Sequence, residues 1–78
     1  MKFEILGSGC TKCKRLYDNV VEAVKKAGIQ ADVIKIEDMG EIVSRGILMP
    51  PSLFMDGEEV FSGRVPSVNE IIEVVKGA

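Results

Sequence analysis

Two cysteines, Cys10 and Cys13, are the residues of this 78-residue chain whose type and spacing could do chemistry. They are separated by Thr11 and Lys12, within the stretch G-S-G-C-T-K-C-K-R-L-Y. A Cys-x-x-Cys pair suits dithiol exchange, because one thiolate attacks a substrate disulfide and the second thiol then releases the product. The spacing therefore predicts a reversible dithiol–disulfide centre at this position.

Cations crowd the start of the helix that the pattern predicts after these cysteines. Lys12, Lys14 and Arg15 stand there, although a helix N-terminus carries partial positive charge and normally favours Asp or Glu. That field would stabilise a thiolate at Cys10. Lowering a thiol pKa from about 8.5 to about 7 requires only about 2 kcal/mol, which these interactions can supply. We therefore expect Cys10 to be the exposed nucleophile. Cys13, one turn inside on the apolar face, is expected to be the resolving thiol.

Other roles for the two thiols remain open at this point. A structural disulfide closing so short a loop gains only about 2 kcal/mol, and such bridges do not persist in a reducing cytoplasm. A structural zinc site needs four ligands, whereas the chain has two cysteines and no histidine, so a partner would have to complete it. A third possibility is a pure binding module in which the thiols are incidental. We predict no resident metal and no cofactor.

A soft-metal chaperone is the strongest alternative, because Cu(I) prefers thiolate pairs. A glycine-rich loop with Cys-x-x-Cys before a helix also resembles the opening of heavy-metal-associated domains. Those domains usually carry Met two residues before the first cysteine, where this chain has Ser8. They also end on a strand, whereas the pattern here predicts a final helix.

Composition limits the remaining classes of function. The length allows one small domain, residues 1–78, and a hydrophobic content of 46% supports a core. The net charge of −2 gives no broad attraction to nucleic acid or to anionic membranes. No apolar run approaches the roughly 18 residues of a membrane-spanning helix, and the N-terminus is too mixed for a secretion signal. We expect a monomeric, cytoplasmic protein that binds neither nucleic acid nor membrane.

Hydrophobic periodicity and turn residues predict the elements that position the cysteines. The expected order is β-α-β-α-β-β-α. Strands are expected at residues 2–6, 31–36, 52–55 and 58–61, the last two forming a hairpin around Asp56-Gly57. Helices are expected at residues 11–27, 38–44 and from residue 67 onward, the last two opened by capping boxes, Asp38 with Glu41 and Ser67 with Glu70.

The strand–Cys-x-x-Cys–helix opening, the segment Pro51-Ser52-Leu53 and the capped last helix together resemble the thioredoxin-like fold. The chain is similar to the small redox-active disulfide proteins of that superfamily and is near glutaredoxins in length. The resemblance implies an α/β fold with a central four-stranded mixed sheet flanked by three helices. It also implies an electron carrier that reduces disulfides of proteins or small molecules and is itself reduced by an upstream reductase.

The same resemblance assigns a role to the two adjacent prolines. It makes Pro51 the cis-proline that begins the third strand and packs against the active-site disulfide. The residue before it usually pairs with substrate peptide through its backbone N–H and C=O. Here that residue is Pro50, which has no N–H. We therefore expect peptide binding to lose one hydrogen bond, about 1 kcal/mol.

Glu4 and Arg64 are weaker candidates for the site. Glu4 lies six residues before Cys10, where thioredoxins have a buried Asp that assists proton transfer. Strand alternation, however, places Glu4 beside Lys2 on the more polar face, where pairing with a cation is the alternative role. Arg64 is expected either to contact an anionic substrate or to form a surface ion pair.

Two departures limit what the resemblance implies. The family signature Trp-Cys-Gly-Pro-Cys is replaced by Gly9-Cys10-Thr11-Lys12-Cys13, so the redox potential does not carry over. The segment before the last helix lacks the Gly-Gly and acidic pair with which glutaredoxins bind glutathione, so glutathione recognition is not implied.

Overall fold

The computed structural model describes residues 1–7 and 11–77. Its elements are β1 (Lys2–Leu6), α1 (Thr11–Ala27), β2 (Asp32–Ile36), α2 (Met39–Ser44), β3 (Ser52–Met55), β4 (Glu58–Ser62) and α3 (Val68–Lys76). The predicted order β-α-β-α-β-β-α is confirmed. None of the helices in the described part of the chain combines the length and the apolar character needed to span a membrane.

The strands form a mixed sheet in the order β2-β1-β3-β4. The central strand β1 runs parallel to β2 and antiparallel to β3. The predicted hairpin joins β3 to β4 through Asp56 and Gly57, whose φ angles are 51° and 89°. Positive φ at both central residues is typical of the tight turn that matches the twist of paired strands. Asp56 also fixes the start of β1, because its carboxylate accepts a hydrogen bond from the Lys2 backbone N–H at 2.7 Å.

One face of the sheet is covered by α1 and α3, and we call it the two-helix face. Apolar residues of α1 recur at helical spacing, so a single stripe of the helix can face the sheet. From β1, the side chains of Phe3 and Ile5 point to this face and are almost completely buried. The buried cluster consists of Phe3, Ile5, Leu16, Val20, Ala23, Leu53, Ile71 and Val75.

Of the three helices described, α2 covers the opposite face, which we call the α2 face. Because successive strand side chains alternate between faces, Leu6 points here. Its buried cluster is smaller and consists of Leu6, Ile42, Ile47 and Phe54. The helix has six residues, and Asp38 caps its N-terminus by accepting a hydrogen bond from the Glu41 backbone N–H at 3.1 Å.

The capping box predicted at the start of α3 is confirmed. The Ser67 hydroxyl accepts a hydrogen bond from the Glu70 N–H at 3.1 Å, and the Glu70 carboxylate accepts one from the Ser67 N–H at 3.0 Å. Arg64 also donates to this carboxylate. The Arg64 hydrogen bond, followed by the one from the Ser67 backbone, lowers the pKa of Glu70 to about 2. The helix start is therefore held by both backbone and side-chain contacts.

Candidate functional site

Cys13 lies in the first turn of α1 with 6% of its surface exposed. It shares the buried side of the helix with Leu16 and Val20, as its spacing predicted. Cys10, the predicted nucleophile, lies outside the described residues. The burial of Cys13 fits a thiol that is shielded from solvent, and its role as the resolving thiol stays a prediction.

The thiol of Cys13 sits against the end of β1. A Cβ atom added at Gly7 would overlap Cys13 Sγ, and it would lie 3.6 Å from Cys13 Cβ and 3.7 Å from Pro51 Cα. The backbone at this point is held to the neighbouring strand, because the Gly7 N–H donates to the Ile36 carbonyl at 3.1 Å. The structure therefore brings together the end of β1, the first turn of α1 and the start of β3.

Pro51 forms the β3 side of this meeting point. Its side chain is fully buried, and the Pro50–Pro51 peptide bond is cis. The Pro51 carbonyl accepts a hydrogen bond from the Gly63 N–H at 3.0 Å, which ties the start of β3 to the end of β4. Pro50 is exposed. Of the two prolines that the sequence singled out, Pro51 therefore packs near Cys13 and Pro50 faces solvent.

An exposed apolar segment precedes Pro51 directly. Leu48 is 91% exposed and Met49 is 64% exposed, and with Pro50 they form what we call the apolar rim. The end of β4 lies beside it, because a Cβ added at Gly63 would be 3.3 Å from Met49 Cβ. Exposed apolar groups that adjoin one another commonly mark an interaction surface. The rim is therefore a candidate contact surface, and it leads directly into the buried Pro51.

The cations predicted around the helix start are all exposed. Thr11, Lys12, Lys14 and Arg15 face solvent, and the first turn of α1 contains no acidic residue. The positive end of the helix is therefore not neutralised from within that turn. Because exposed charges are screened over about 10 Å at 0.1 M salt, the helix dipole acts more strongly on a nearby thiolate than any one of these side chains.

The surroundings of Glu4 differ from those predicted. It is only 6% exposed and shares the α2 face with Leu6 and Phe54, so the expectation of a polar face is wrong. Arg45 binds its carboxylate with both terminal nitrogens, at 3.1 and 2.7 Å. These hydrogen bonds lower the pKa of Glu4, although burial opposes the effect. The carboxylate is thus engaged as a paired anion, and a catalytic role for Glu4 stays a prediction.

Arg64 occupies the surface ion pair that was one of its two expected roles. Its guanidinium donates to both carboxylate oxygens of Glu70, at 3.2 and 2.6 Å. It also lies over the ring of Phe61, 5.0 Å from the ring centre. Contact between Arg64 and an anionic substrate stays a prediction.

Sequence reasoning missed Gly7 and Arg45. Gly7 reads as an ordinary loop glycine at the end of a strand, and nothing local shows that a thiol from the next helix will approach it. Arg45 lies 41 residues from Glu4 along the chain, so no helical or strand spacing links them. One signal was available, since a carboxylate on a central strand needs a partner if it is buried.

Comparisons with known proteins agree on a single family. A family model described as a thioredoxin domain matches residues 1–76. A curated thioredoxin from Methanocaldococcus jannaschii is 42% identical over 72 residues, covering 92% of this chain and 83% of the relative. Another, from Methanothermobacter thermautotrophicus, is 43% identical over 75 residues, covering 96% of this chain and 97% of the relative.

The fold has a counterpart among solved structures. Thioredoxin 1 from Thermosipho africanus superposes with a TM-score of 0.66, covering 99% of this chain and 92% of that one. At 23% identity, this likeness shows the fold alone. The predicted α/β architecture, a mixed sheet of four strands with three helices, is confirmed. Together with the family match over residues 1–76, these findings show that the chain belongs to the thioredoxin family of thiol–disulfide oxidoreductases.

Proposed function

We propose that this protein reduces disulfides with Cys10 as the nucleophile and Cys13 as the resolving thiol. The observation that carries the proposal is the burial of Cys13 at the start of α1, against Gly7 and Pro51. A shielded thiol that follows a more N-terminal cysteine by one helical turn suits the second step of dithiol exchange. Membership of the thioredoxin family supports the same chemistry.

The proposed reaction has two exchange steps. The Cys10 thiolate attacks one sulfur of the substrate disulfide, and the other substrate sulfur leaves as a thiolate that takes up a proton. Cys13 then loses its proton and attacks the Cys10 sulfur, which forms the Cys10–Cys13 disulfide and releases the second substrate thiol. The substrate gains two electrons and two protons, and an upstream dithiol reductase restores the pair.

The charges of the described residues support a nucleophilic thiolate at the helix start. Lys12 and Lys14 are exposed there, and the first turn brings no carboxylate to compete. A thiolate is the reactive form of cysteine, and helix N-termini and nearby cations lower thiol pKa values. These groups therefore favour attack by the more N-terminal thiol.

The apolar rim supports a protein disulfide as substrate. Its side chains, Leu48 and Met49 above all, lie in solvent immediately before the buried Pro51, and we propose that a partner chain presenting its disulfide to Cys10 contacts them. Pro50 offers a carbonyl but no N–H to that partner. We propose a monomeric, cytoplasmic carrier, residues 1–78 acting as one domain, whose partners are a disulfide protein and a reductase.

The soft-metal chaperone alternative gains no support from the relatives named above, both of which are called thioredoxin. Within residues 1–7 and 11–77, no group of three or more His, Cys, Asp or Glu side chains is placed to hold a metal ion. We therefore do not carry this alternative forward.

The decisive test is a redox titration in which thiols are quenched by alkylation and counted by intact mass. We expect one reversible intramolecular disulfide, faster alkylation at Cys10 than at Cys13, and loss of disulfide reduction in Cys10→Ser. Cys13→Ser should instead accumulate a mixed disulfide with substrate, because the second step is removed. Faster alkylation of Cys13, or no reversible disulfide, would overturn the proposal.

A second experiment tests the protein substrate. Pro50→Thr restores a backbone N–H beside the apolar rim and leaves both cysteines intact. One recovered hydrogen bond, about 1 kcal/mol, should raise peptide-disulfide reduction about fivefold, mainly through KM. The rate with a small non-peptide disulfide should stay the same. Equal changes for the two substrates would place the peptide elsewhere.

A further inference from the structure

Gly7, the residue after β1, has a backbone conformation that does not require glycine. Its φ angle is not positive, in contrast to Gly57 in the hairpin turn and Gly63 after β4, with φ angles of 89° and 76°. L-amino acids adopt non-positive φ angles readily. The reason for a glycine at this position must therefore lie in its surroundings rather than in its backbone.

The surroundings of Gly7 leave no room for a side chain. A Cβ atom there would overlap Cys13 Sγ and would also touch Pro51 Cα at 3.7 Å. Other glycines with non-positive φ are different. At Gly40 the nearest atom to an added Cβ is Asp38 Oδ2 at 3.4 Å, and at Gly77 it is the Glu73 carbonyl oxygen at 3.5 Å. Both of these distances are ordinary contacts, so the crowding is specific to the Cys13 thiol.

The backbone on each side of this contact is held in place. The Gly7 N–H bonds to the Ile36 carbonyl at 3.1 Å and continues the β1–β2 pairing. Helix α1 is anchored one turn later by Leu16, which has no exposed surface. Any side chain at position 7 must therefore be accommodated by rotation of Cys13 about χ1, or by movement of the first turn of α1.

We propose that Gly7 is a positioning residue for Cys13. Its missing side chain leaves a seat against the end of β1 in which the Cys13 sulfur rests, and this seat sets the direction from which the thiol approaches Cys10. The redox consequence rests on the function proposed above, whereas the contact between Gly7 and the Cys13 sulfur does not. Exchange between two sulfurs needs a defined approach, so a displaced thiol should slow the second step and leave the first unchanged.

The first experiment measures the coupling between the two positions. Gly7→Ala is made in the parent protein and in a Cys13→Ala background, with Gly40→Ala and Gly77→Ala as matched glycine controls. In the parent, Gly7→Ala should lower the urea midpoint. In the Cys13→Ala background, where the sulfur is gone, at least half of that loss should disappear. Gly40→Ala and Gly77→Ala should each change the urea midpoint by the same amount in both backgrounds.

The second experiment measures the exchange steps separately. Each protein is reacted with a peptide disulfide, and the mixed disulfide is followed by acid quenching and intact mass. Gly7→Ala should leave the rate of mixed-disulfide formation within twofold of the parent and slow its resolution about tenfold. Gly40→Ala and Gly77→Ala should change neither rate.

The outcomes separate the possibilities. Equal losses of stability in the two backgrounds would show that Gly7 serves something other than the thiol, and an unchanged resolution rate in folded Gly7→Ala would show that the seat does not direct the sulfur. Either result overturns the proposal. If Gly7→Ala does not fold, recovery of folding in Gly7→Ala/Cys13→Ala supports it and continued failure contradicts it. A parent protein without a reversible disulfide would overturn the proposed function and leave the measured Gly7–Cys13 coupling intact.

Discussion

The two faces of the sheet are covered by different kinds of contact. On the two-helix face, two helices of 17 and 9 residues pack against strands β1 and β3 around a buried apolar cluster. On the α2 face, one helix of six residues covers a cluster of four apolar side chains. That cluster is too small to cover the strands alone, and polar groups share the face with it.

Two partly buried polar contacts add to the apolar cluster on the α2 face. Arg45 connects the sheet to α2, because it binds Glu4 at 2.7 Å and Glu41 at 3.2 Å and lies 5.2 Å from the ring centre of Phe54. Ser52, with no exposed surface, donates its hydroxyl to the Glu59 carboxylate at 2.5 Å. Hydrogen bonds of this kind depend on direction, whereas apolar packing depends mainly on contact area.

The two faces contribute differently to holding the helices and loops in place. The two-helix face holds α1, and hence Cys13, through a large apolar contact that tolerates little movement. The α2 face holds the chain that leads into the apolar rim, because Arg45 and the buried Ile47 stand just before Leu48. The helix that carries the thiol is therefore held by apolar packing, whereas the segment before the apolar rim is held partly by ion pairs.

Core truncations on the two faces should produce the largest changes in unfolding free energy. Leu16→Ala should cost about 4 kcal/mol of unfolding free energy, because a completely buried side chain is removed between two helices and the sheet. Ile42→Ala should cost about 2 kcal/mol, since the short helix can settle into part of the space. Urea unfolding with a common m-value measures both. Equal losses would show that the α2 face is packed as rigidly as the other.

The next effect concerns the ion pair of the α2 face. Glu4→Gln should cost about 2 kcal/mol at neutral pH, because a partly buried charged hydrogen bond is lost. The folded-state pKa of Glu4 lies below the reference of 4.5, so its contribution is present above that reference. It is lost as the pH falls through the lowered folded-state value.

The pH dependence provides the measurement. Stability curves of the parent and Glu4→Gln should be furthest apart near neutral pH and should converge as the pH falls from 4.5 through the lowered folded-state pKa of Glu4. Glu73→Gln, at an exposed position of α3, serves as the matched control and should follow the parent closely. Curves that stay parallel down to acidic pH would mean that the Arg45 pair does not carry the difference.

Substitutions at the helix caps should produce the smallest changes in stability. Ser67→Ala removes a full capping box from α3 and should cost about 1 kcal/mol of global stability, with Ser67→Asp restoring most of it. Asp38→Ala removes a single cap from the six-residue α2 and should mainly increase local opening. Urea unfolding measures the first, and hydrogen exchange at the Ile42 amide measures the second. If Asp38→Ala lowered the global unfolding free energy as much as Ser67→Ala, α2 would belong to the part of the protein that unfolds cooperatively.

Features that the sequence could predict are local ones. The bounds of α1, the Asp56-Gly57 hairpin and the box of Ser67 with Glu70 depend on residues within a few positions of each other, and the structure has all of them. The burial of Cys13 followed in the same way from helical spacing. In each case the interacting groups are brought together by the element itself.

Features that depend on distant segments were missed. Strand alternation placed Glu4 beside Lys2, yet it could not show that α2 would bury Glu4 or that Arg45 would meet it. The approach of the Cys13 sulfur to Gly7 depends on where α1 docks on the sheet, which no local pattern encodes. The placement of Cys10 stays a prediction from the sequence and from the family.

The central position of β1 has a consequence for the making of the protein. Phe3 pairs with Val33 on one side and with Met55 on the other, so β1 is synthesised well before the second of the two strands that pair with it. At synthesis rates of 5–20 residues per second, roughly 3–10 s separate the two events. During that interval an apolar strand has an unpaired edge, which is the condition that favours mispairing with other chains. We therefore expect the yield of folded protein to depend on the speed of translation, or on chaperones, as well as on the stability of the finished sheet.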